Sequence, residues 1–201
     1  MNPQLAAWTG EFGNNYTQRN QINPELIKKR AKTLEIIIKP LTPVSILEVG
    51  CNIGINLIAC LPFMRPPAVV AGVEPNLKAR RIAEITGMQA FRVFPDIGQN
   101  LEFFDSFFDL VFTCGVLIHC ELSDAEKAAK EMLRVAKKQV LFMEYFNKTD
   151  MEMEYQGIKG LLWKRNWPEY FKSWGFGKQI SCGFAGKDQG FDDVHWWIYK
   201  K

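Results

Sequence analysis

The stretch SILEVGCNIGINL, residues 45–57, decides how this chain is read. Ile46, Leu47 and Val49 are strand formers in a run short enough to be a buried strand. Gly50 and Gly54 follow where such a strand ends, and Leu57, Ile58 and Ala59 resume at helical spacing. Strand, tight turn and helix make a unit that presents backbone N–H groups at a helix N-terminus, so a small polar ligand is expected there.

Outward from this unit, apolar runs alternate with helical patterns. Strands are expected over about 44–49, 68–74, 88–94, 107–114 and 139–146, and again over about 178–184 and 193–199. Helices are expected over 24–39, with Asn23 as N-cap and Pro24 in the first turn, then over 54–61, 76–86 (stopped by Gly87), 123–136 and a short one near 166–175. Ser123 and Glu126 read as a capping box. The polar stretch 147–164 reads as an irregular insertion over the cleft. The expected class is α/β: a seven-stranded, mostly parallel sheet with helices on both faces. Only the turn-rich AGKDQGFDD separates the last two strands, which should pair as an antiparallel hairpin. The expected organisation is a single domain over 1–201: an N-terminal lid over 1–22, a ligand-binding core over 23–146, the insertion, and a helix and hairpin over 165–201.

The totals exclude several classes. The 201 residues carry a net charge of +3, with 47% hydrophobic and 23% charged residues, as in ordinary soluble globular domains. That charge is too small for a long phosphate track, which argues against nucleic acid. The apolar runs are too short or too broken to span a bilayer, and MNPQLAAWTGEFG lacks the basic start and apolar middle of a signal peptide. Five cysteines without a CxxC pair suggest reduced thiols and a cytoplasmic protein. His119–Cys120 has no matching second pair, and no metal is expected.

Two ligands compete for the glycine turn. A dinucleotide fingerprint, G-x-G-x-x-G, would place glycines at 52 and 55, where this chain has Asn52 and Ile55. A carboxylate at Glu48 would also repel a pyrophosphate. S-adenosylmethionine has no phosphate. Glu48 can engage its ammonium side, Glu74 at the end of the second strand can accept both ribose hydroxyls, and Asp96 after the third can accept from the adenine amino group, with Ile97 against the ring. Three acids after three successive strands suit a positively charged nucleoside.

On these residues the chain resembles the class I S-adenosylmethionine-dependent methyltransferases over roughly residues 40–145. ILEVGCNIG is similar to their motif I with Asn52 at the middle glycine, GVEPN to their second acidic loop, and FPDI to their adenine-side acid. The resemblance implies a Rossmann-like fold and cofactor contacts at Glu48, Gly50, Asn52, Gly54, Asn56, Glu74, Pro75, Asn76, Asp96, Ile97, Cys114 and Gly115. A narrower resemblance, carried by GEFGNNYTQRN, LEVGCNIGIN, CGVLIHC, MEYFN, EYQG, WKRNW and FDDVHWWIYK, is to the pseudaminic acid biosynthesis-associated methylase family. It implies a hydroxyl or nitrogen of a sugar or nucleotide-sugar as acceptor. The chain departs from the family's YRG and KRD at Tyr155-Gln156-Gly157 and Lys164-Arg165-Asn166.

Other constellations carry two readings each. Trp8, Phe12, Tyr16 and Arg19 share one face of a helix. They are either a staple onto the sheet or a lid, with aromatic faces toward a sulfonium and Arg19 on the cofactor carboxylate. After the fourth strand the chain lacks the N/D-P-P-Y/F that grips a flipped base. His119 beyond that strand is either structural or a general base. Glu144 and Tyr145, expected to face the same cleft, are alternative bases or acceptor contacts. Tyr155, Lys164 and Arg165 are candidates for holding a small, anionic acceptor; a solvated pair is the alternative for the last two. A dehydrogenase and a non-catalytic cofactor-binding module are the competing functions.

Overall fold

Seven α-helices and nine strands alternate along residues 3–201, which the computed structural model describes. Helices α1 (Pro3–Thr9) and α2 (Glu11–Arg19) precede α3 (Pro24–Ile38). The core then runs β1 (Ser45–Val49), α4 (Ile55–Cys60), β2 (Val69–Val73), α5 (Leu77–Gly87), β3 (Arg92–Phe94), β4 (Phe108–Cys114), α6 (Leu122–Val135) and β5 (Ala136–Glu144). After it come β6 (Met151–Tyr155), β7 (Ile158–Lys164), α7 (Trp167–Ser173), β8 (Gln179–Ala185) and β9 (Val194–Lys200).

Seven strands form one sheet in the order β3-β2-β1-β4-β5-β9-β8. The pairs up to β4–β5 are parallel, and β5–β9 and β8–β9 are antiparallel. The expected sheet and its terminal hairpin are therefore present. The chain moves outward from β1 to β3, then returns to lay β4 against the other side of β1. That reversal opens a crevice beyond the C-terminal ends of β1 and β4.

Period-two alternation sends neighbouring residues to opposite faces. Leu47, Val111, Val140 and Phe142 pack with Met132 and Val135 of α6 and with Trp167 and Phe171 of α7. Ile46, Leu110, Leu141 and Met143 pack with Leu34 and Ile38 of α3 and with Leu57 and Ala59 of α4. The Phe142 and Phe171 rings stack with centroids 4.0 Å apart.

Five local expectations are corrected. The stretch 147–164 is not irregular: β6 and β7 pair antiparallel about Gln156 (φ 56°) and Gly157 (φ 79°). Two successive left-handed residues are what a tight two-residue hairpin requires. Helix α6 starts at Leu122 after Glu121, so Ser123 lies inside it and no capping box forms. Helix α5 runs through Gly87 and ends on Met88 (φ 45°), which shortens β3 to three residues. The 87 position is small because a Cβ there would lie 2.7 Å from the Phe91 ring. Strand β5 stops at Glu144 but begins earlier than expected, at Ala136. The N-terminal segment is two helices broken at Gly10, not one.

Gly72 lies mid-strand in β2 between β1 and β3. A Cβ there would lie 2.6 Å from Cys51 Sγ and 2.8 Å from Leu57 Cδ1, on the turn and helix that follow β1. Gly72→Ala should lower stability by about 1–3 kcal/mol, because a packed core does not accept an added methyl without shifting. Chemical denaturation with an unchanged midpoint would contradict this contact.

Candidate functional site

The turn after β1 is built from three left-handed residues, Gly50 (φ 77°), Asn52 (φ 48°) and Gly54 (φ 79°). Asparagine is among the few non-glycine residues that adopt this region readily, so Asn52 keeps the turn's backbone while adding a side-chain amide. The N–H groups of this turn do not wait for an anion, contrary to the expectation from the sequence. Gly50 and Cys51 donate to Val73 O at 2.8 and 3.0 Å, Gly54 donates to Cys51 O at 2.8 Å, and Asn52 donates to the Glu74 carboxylate at 2.9 Å. A diphosphate would find these donors already engaged.

Beyond the strand ends lies a cavity of about 700 Å³. Of the residues singled out in the sequence, Glu48, Gly50, Asn52, Asn56, Glu74, Pro75, Asn76, Ile97, Cys114, Gly115, His119 and Tyr145 line it from the core side. Trp8, Tyr16 and Arg19 close it from α1 and α2, and Tyr155 from the β6–β7 hairpin. Trp8 meets both Phe12 (5.2 Å) and Tyr16 (5.1 Å) edge-on, so the aromatic cluster forms across the Gly10 break.

Glu48 is buried. Its Oε1 accepts from Asn56 Nδ2 at 2.6 Å, while Oε2 has no partner. Burial pushes its carboxyl up to about 8, against the opposing pull of the Asn56 bond and the Arg30 charge. Arg30 of α3 donates to Asn56 Oδ1 at 2.9 Å and to Gly190 O at 2.8 Å, tying β1, α3 and the loop before β9 together. Glu74 accepts from the Asn76 and Asn52 N–H groups at 2.8 and 2.9 Å, and burial raises it to about 6. Two of the four lone-pair positions of its carboxylate remain for a diol.

The Nδ1 of His119 contacts Leu161 O at 2.5 Å. A carbonyl only accepts, so Nδ1 carries the proton and Nε2 keeps its lone pair. Burial lowers this imidazole to about 4. Its ring lies 4.4 Å from Trp8 and 5.4 Å from Tyr155.

Five candidates stand elsewhere. Gly54 is off the cavity, pressed on Phe91, whose ring would be 2.9 Å from a Cβ. Asp96 accepts from the Glu102 N–H at 3.0 Å, and Ile97, Gly98 and Gln99 face the cavity in its place. Glu144 does not face the cleft with Tyr145: the strand's alternation turns it beneath the 113–118 loop, where it is fully buried. Arg165 is 3% exposed and donates to backbone carbonyls, so it is not open to an acceptor. Lys164 lies over the Tyr145 ring at 5.9 Å, in a separate hollow of about 260 Å³ shared with Lys187, Asp192 and Asp193. The sequence reading missed Arg30, Gln99 and Phe191, all on the cavity wall, where Asp192 also stands.

The wall fits a cationic nucleoside. Glu48 Oε2, Asn52 Oδ1 and Trp8 Nε1 are buried without partners, and the first two are acceptors at the end of β1. Residues 47–143 match a family model described as a methyltransferase domain. This segment of the chain is a methyltransferase domain. No curated protein sequence matches the chain. Among solved structures it is similar to an S-adenosylmethionine-dependent methyltransferase of Leishmania major (13% identity, 100% of this chain and 86% of that one, TM-score 0.75). It is also similar to Burkholderia thailandensis 1,6-didemethyltoxoflavin-N1-methyltransferase (12%, 98% and 88%, TM-score 0.73). A third is the magnesium protoporphyrin IX methyltransferase of Synechocystis PCC 6803 with bound S-adenosylmethionine (12%, 100% and 98%, TM-score 0.69). At such identities the likeness speaks for the fold. Among the described residues, no helix is long and apolar enough to cross a membrane and no group of three or more His, Cys, Asp or Glu could hold a metal ion.

Asn76 latches the roof. Its Oδ1 caps α5 through the Ala79 N–H, while its Nδ2 donates to Trp8 O (2.9 Å) and Asn14 Oδ1 (3.1 Å). Asn76→Asp keeps the cap and removes both donors. Hydrogen exchange of amides in α1 and α2 should quicken by roughly thirtyfold, as expected for two lost bonds of about 1 kcal/mol each, with α5 unchanged. Unchanged exchange in α1 and α2 would mean that Asn76 does not hold the roof.

Proposed function

We propose that this methyltransferase moves the methyl group of S-adenosylmethionine to a hydroxyl or nitrogen of a small polar acceptor, of the sugar or nucleotide-sugar class. The observation that carries this reading is the chamber itself. Its roof (α1, α2 and the β6–β7 hairpin) leaves about 700 Å³ beneath it, room for small molecules and not for a nucleic-acid strand.

Bound S-adenosylmethionine supplies a methyl group already activated by the positive sulfur. In this reading Glu48 takes the ammonium side, since its unpaired Oε2 is an acceptor at the cavity wall. Glu74, preset by two backbone N–H groups, takes the ribose hydroxyls. Ile97 and Gln99 flank the adenine. Arg19 at the mouth meets the carboxylate.

On the acceptor side, burial raises the phenols of Tyr16, Tyr145 and Tyr155, with Tyr155 adding to the effect at Tyr16 and Asp192 adding to it at Tyr145 and Tyr155. Such uncharged hydroxyls, with Asp192 beside them, suit hydroxyl groups on a ligand. Anion recognition moves from Arg165 to Lys164 and Lys187, which lie across the wall formed by Tyr145 and Asp192. His119 receives the acceptor's proton on Nε2. An imidazole near 4 is a weak base toward a resting hydroxyl. It is matched to one whose proton becomes acidic as the oxygen bonds to carbon. The remaining work is alignment and exclusion of water.

The test supplies labelled S-adenosylmethionine with panels of nucleotide-sugars, amines, RNA and protein. Label should enter a small sugar-type acceptor, and His119→Ala should lower its kcat by roughly 10²–10⁴-fold. Label in RNA or protein alone overturns the acceptor reading, and a full-speed His119→Ala enzyme overturns the base.

A further inference from the structure

Glu144 and Arg165, two of the charged residues that the sequence reading placed in the cleft, have a different task. Residues 113–120 run from the end of β4 to α6 and contain one turn of 3₁₀ helix, Leu117–His119. This segment forms the wall on which Cys114, Gly115, Val116 and His119 face the cavity. Such a loop has backbone groups that the sheet does not satisfy, and two buried side chains of opposite charge satisfy them from its two ends.

At the leading end, the Glu144 carboxylate accepts from Thr113 Oγ1 at 2.8 Å, from the Val116 N–H at 3.2 Å and from the Ile118 N–H at 3.3 Å. At the trailing end, Arg165 Nη1 donates to Cys120 O at 2.9 Å and to Leu117 O at 3.5 Å. Its guanidinium lies over the rings of Trp163 (4.8 Å) and Trp167 (5.4 Å). The anion sits at the N–H end of the turn and the cation at its carbonyl end, which is the arrangement the peptide dipoles favour. Among the described residues the two form no ion pair with each other; Arg165 Nε lies 3.9 Å from Asp150 Oδ2, while its Nη1 holds the loop.

Burying two charges costs more than apolar packing would. A loop needing only stability could be packed with less. What the pair provides is a fixed backbone: Val116 closes on Gly50, whose Cβ would lie 2.5 Å from Val116 Cγ2, and His119 is set against Leu161 O of β7. We propose that Glu144 and Arg165 are positioning residues for methyl transfer, a clamp of opposite charges that holds the 113–120 loop so that His119 keeps one tautomer and one orientation toward the acceptor. This rests on the reading of His119 as the acceptor-side base. The clamp itself is tested without any acceptor.

The experiment is nitrogen-15 NMR of the His119 ring in the full chain saturated with S-adenosylhomocysteine, comparing wild type with Glu144→Gln and Arg165→Lys. Glutamine turns an N–H donor toward one of the loop's own N–H groups and loses a bond. Wild type should show a neutral ring protonated on Nδ1. In each variant the two ring nitrogens should move toward the averaged shifts of exchanging tautomers, the titration midpoint should rise by about one unit or more as burial relaxes, and amides 115–120 should exchange at least roughly tenfold faster. S-adenosylhomocysteine affinity should stay within about threefold, since the ligand's anchors lie on β1 and β2. Should a variant not fold, Thr113→Val removes one of the three Glu144 bonds at nearly constant shape and should give the same signature in weaker form. Wild-type ring shifts and midpoint in variants that fold, whatever their stability, would overturn the clamp. If instead the clamp signature is found and no methyl acceptor is, the functional reading fails while the clamp on the 113–120 loop stands.

Discussion

The rest of the site depends on three left-handed residues in the turn after β1. Gly50, Asn52 and Gly54 let the backbone leave the strand and enter α4 within a few residues. The same backbone points its N–H groups at β2, where Val73 O and Glu74 receive them. Glu74 is thus held by the turn, and the turn by Glu74. No side chain larger than hydrogen fits at 50, because the clamped loop after β4 closes on it through Val116. One local constraint therefore sets the first strand's carboxylate, the second strand's carboxylate and the wall between them.

The electrostatics follow from that geometry. Glu48, Glu74 and Glu144 are all raised by burial, to about 8, 6 and 7, yet they meet it differently. Glu144 faces Thr113 and two backbone donors, so its partners belong to the protein. Glu74 keeps two donors and spare lone pairs. Glu48 has one amide and an unpaired oxygen. The order from fully partnered to half partnered runs Glu144, Glu74, Glu48, and the carboxylate that lacks most is the one proposed above to meet a ligand's cation.

Much of this was legible in the sequence for identifiable reasons. Alternation of short apolar runs with helical patterns yields the sheet and its order of helices, because period and turn chemistry are local. Glu48 and Glu74 at the ends of β1 and β2 mark the cavity because their positions are read from the same alternation. What escaped is non-local or one residue out of phase. Tyr145 and Glu144 are neighbours in sequence and opposite in the pleat, so one lines the cavity and the other lies beneath it. Arg165 looks like a surface cation until Trp163 and Trp167 enclose it. Arg30 enters through a carbonyl 160 positions away. The β6–β7 hairpin was hidden because Gln156-Gly157 lacks the Asn-Gly signature that its two left-handed residues would normally carry.

The central claim is that a buried, uncharged Glu48 awaits the ammonium of S-adenosylmethionine. Without ligand its carboxyl near 8 is mostly protonated at neutral pH; an ammonium beside it favours the ionised form, so binding must release a proton. Calorimetric titration with S-adenosylhomocysteine in buffers of different ionisation enthalpy, repeated from pH 6 to pH 8, measures this directly. The account predicts binding that releases up to about one proton at pH 7 and strengthens by up to about tenfold per pH unit across that window. Both effects should vanish in Glu48→Gln. Binding that neither releases protons nor depends on pH, or that is unchanged in Glu48→Gln, would contradict it.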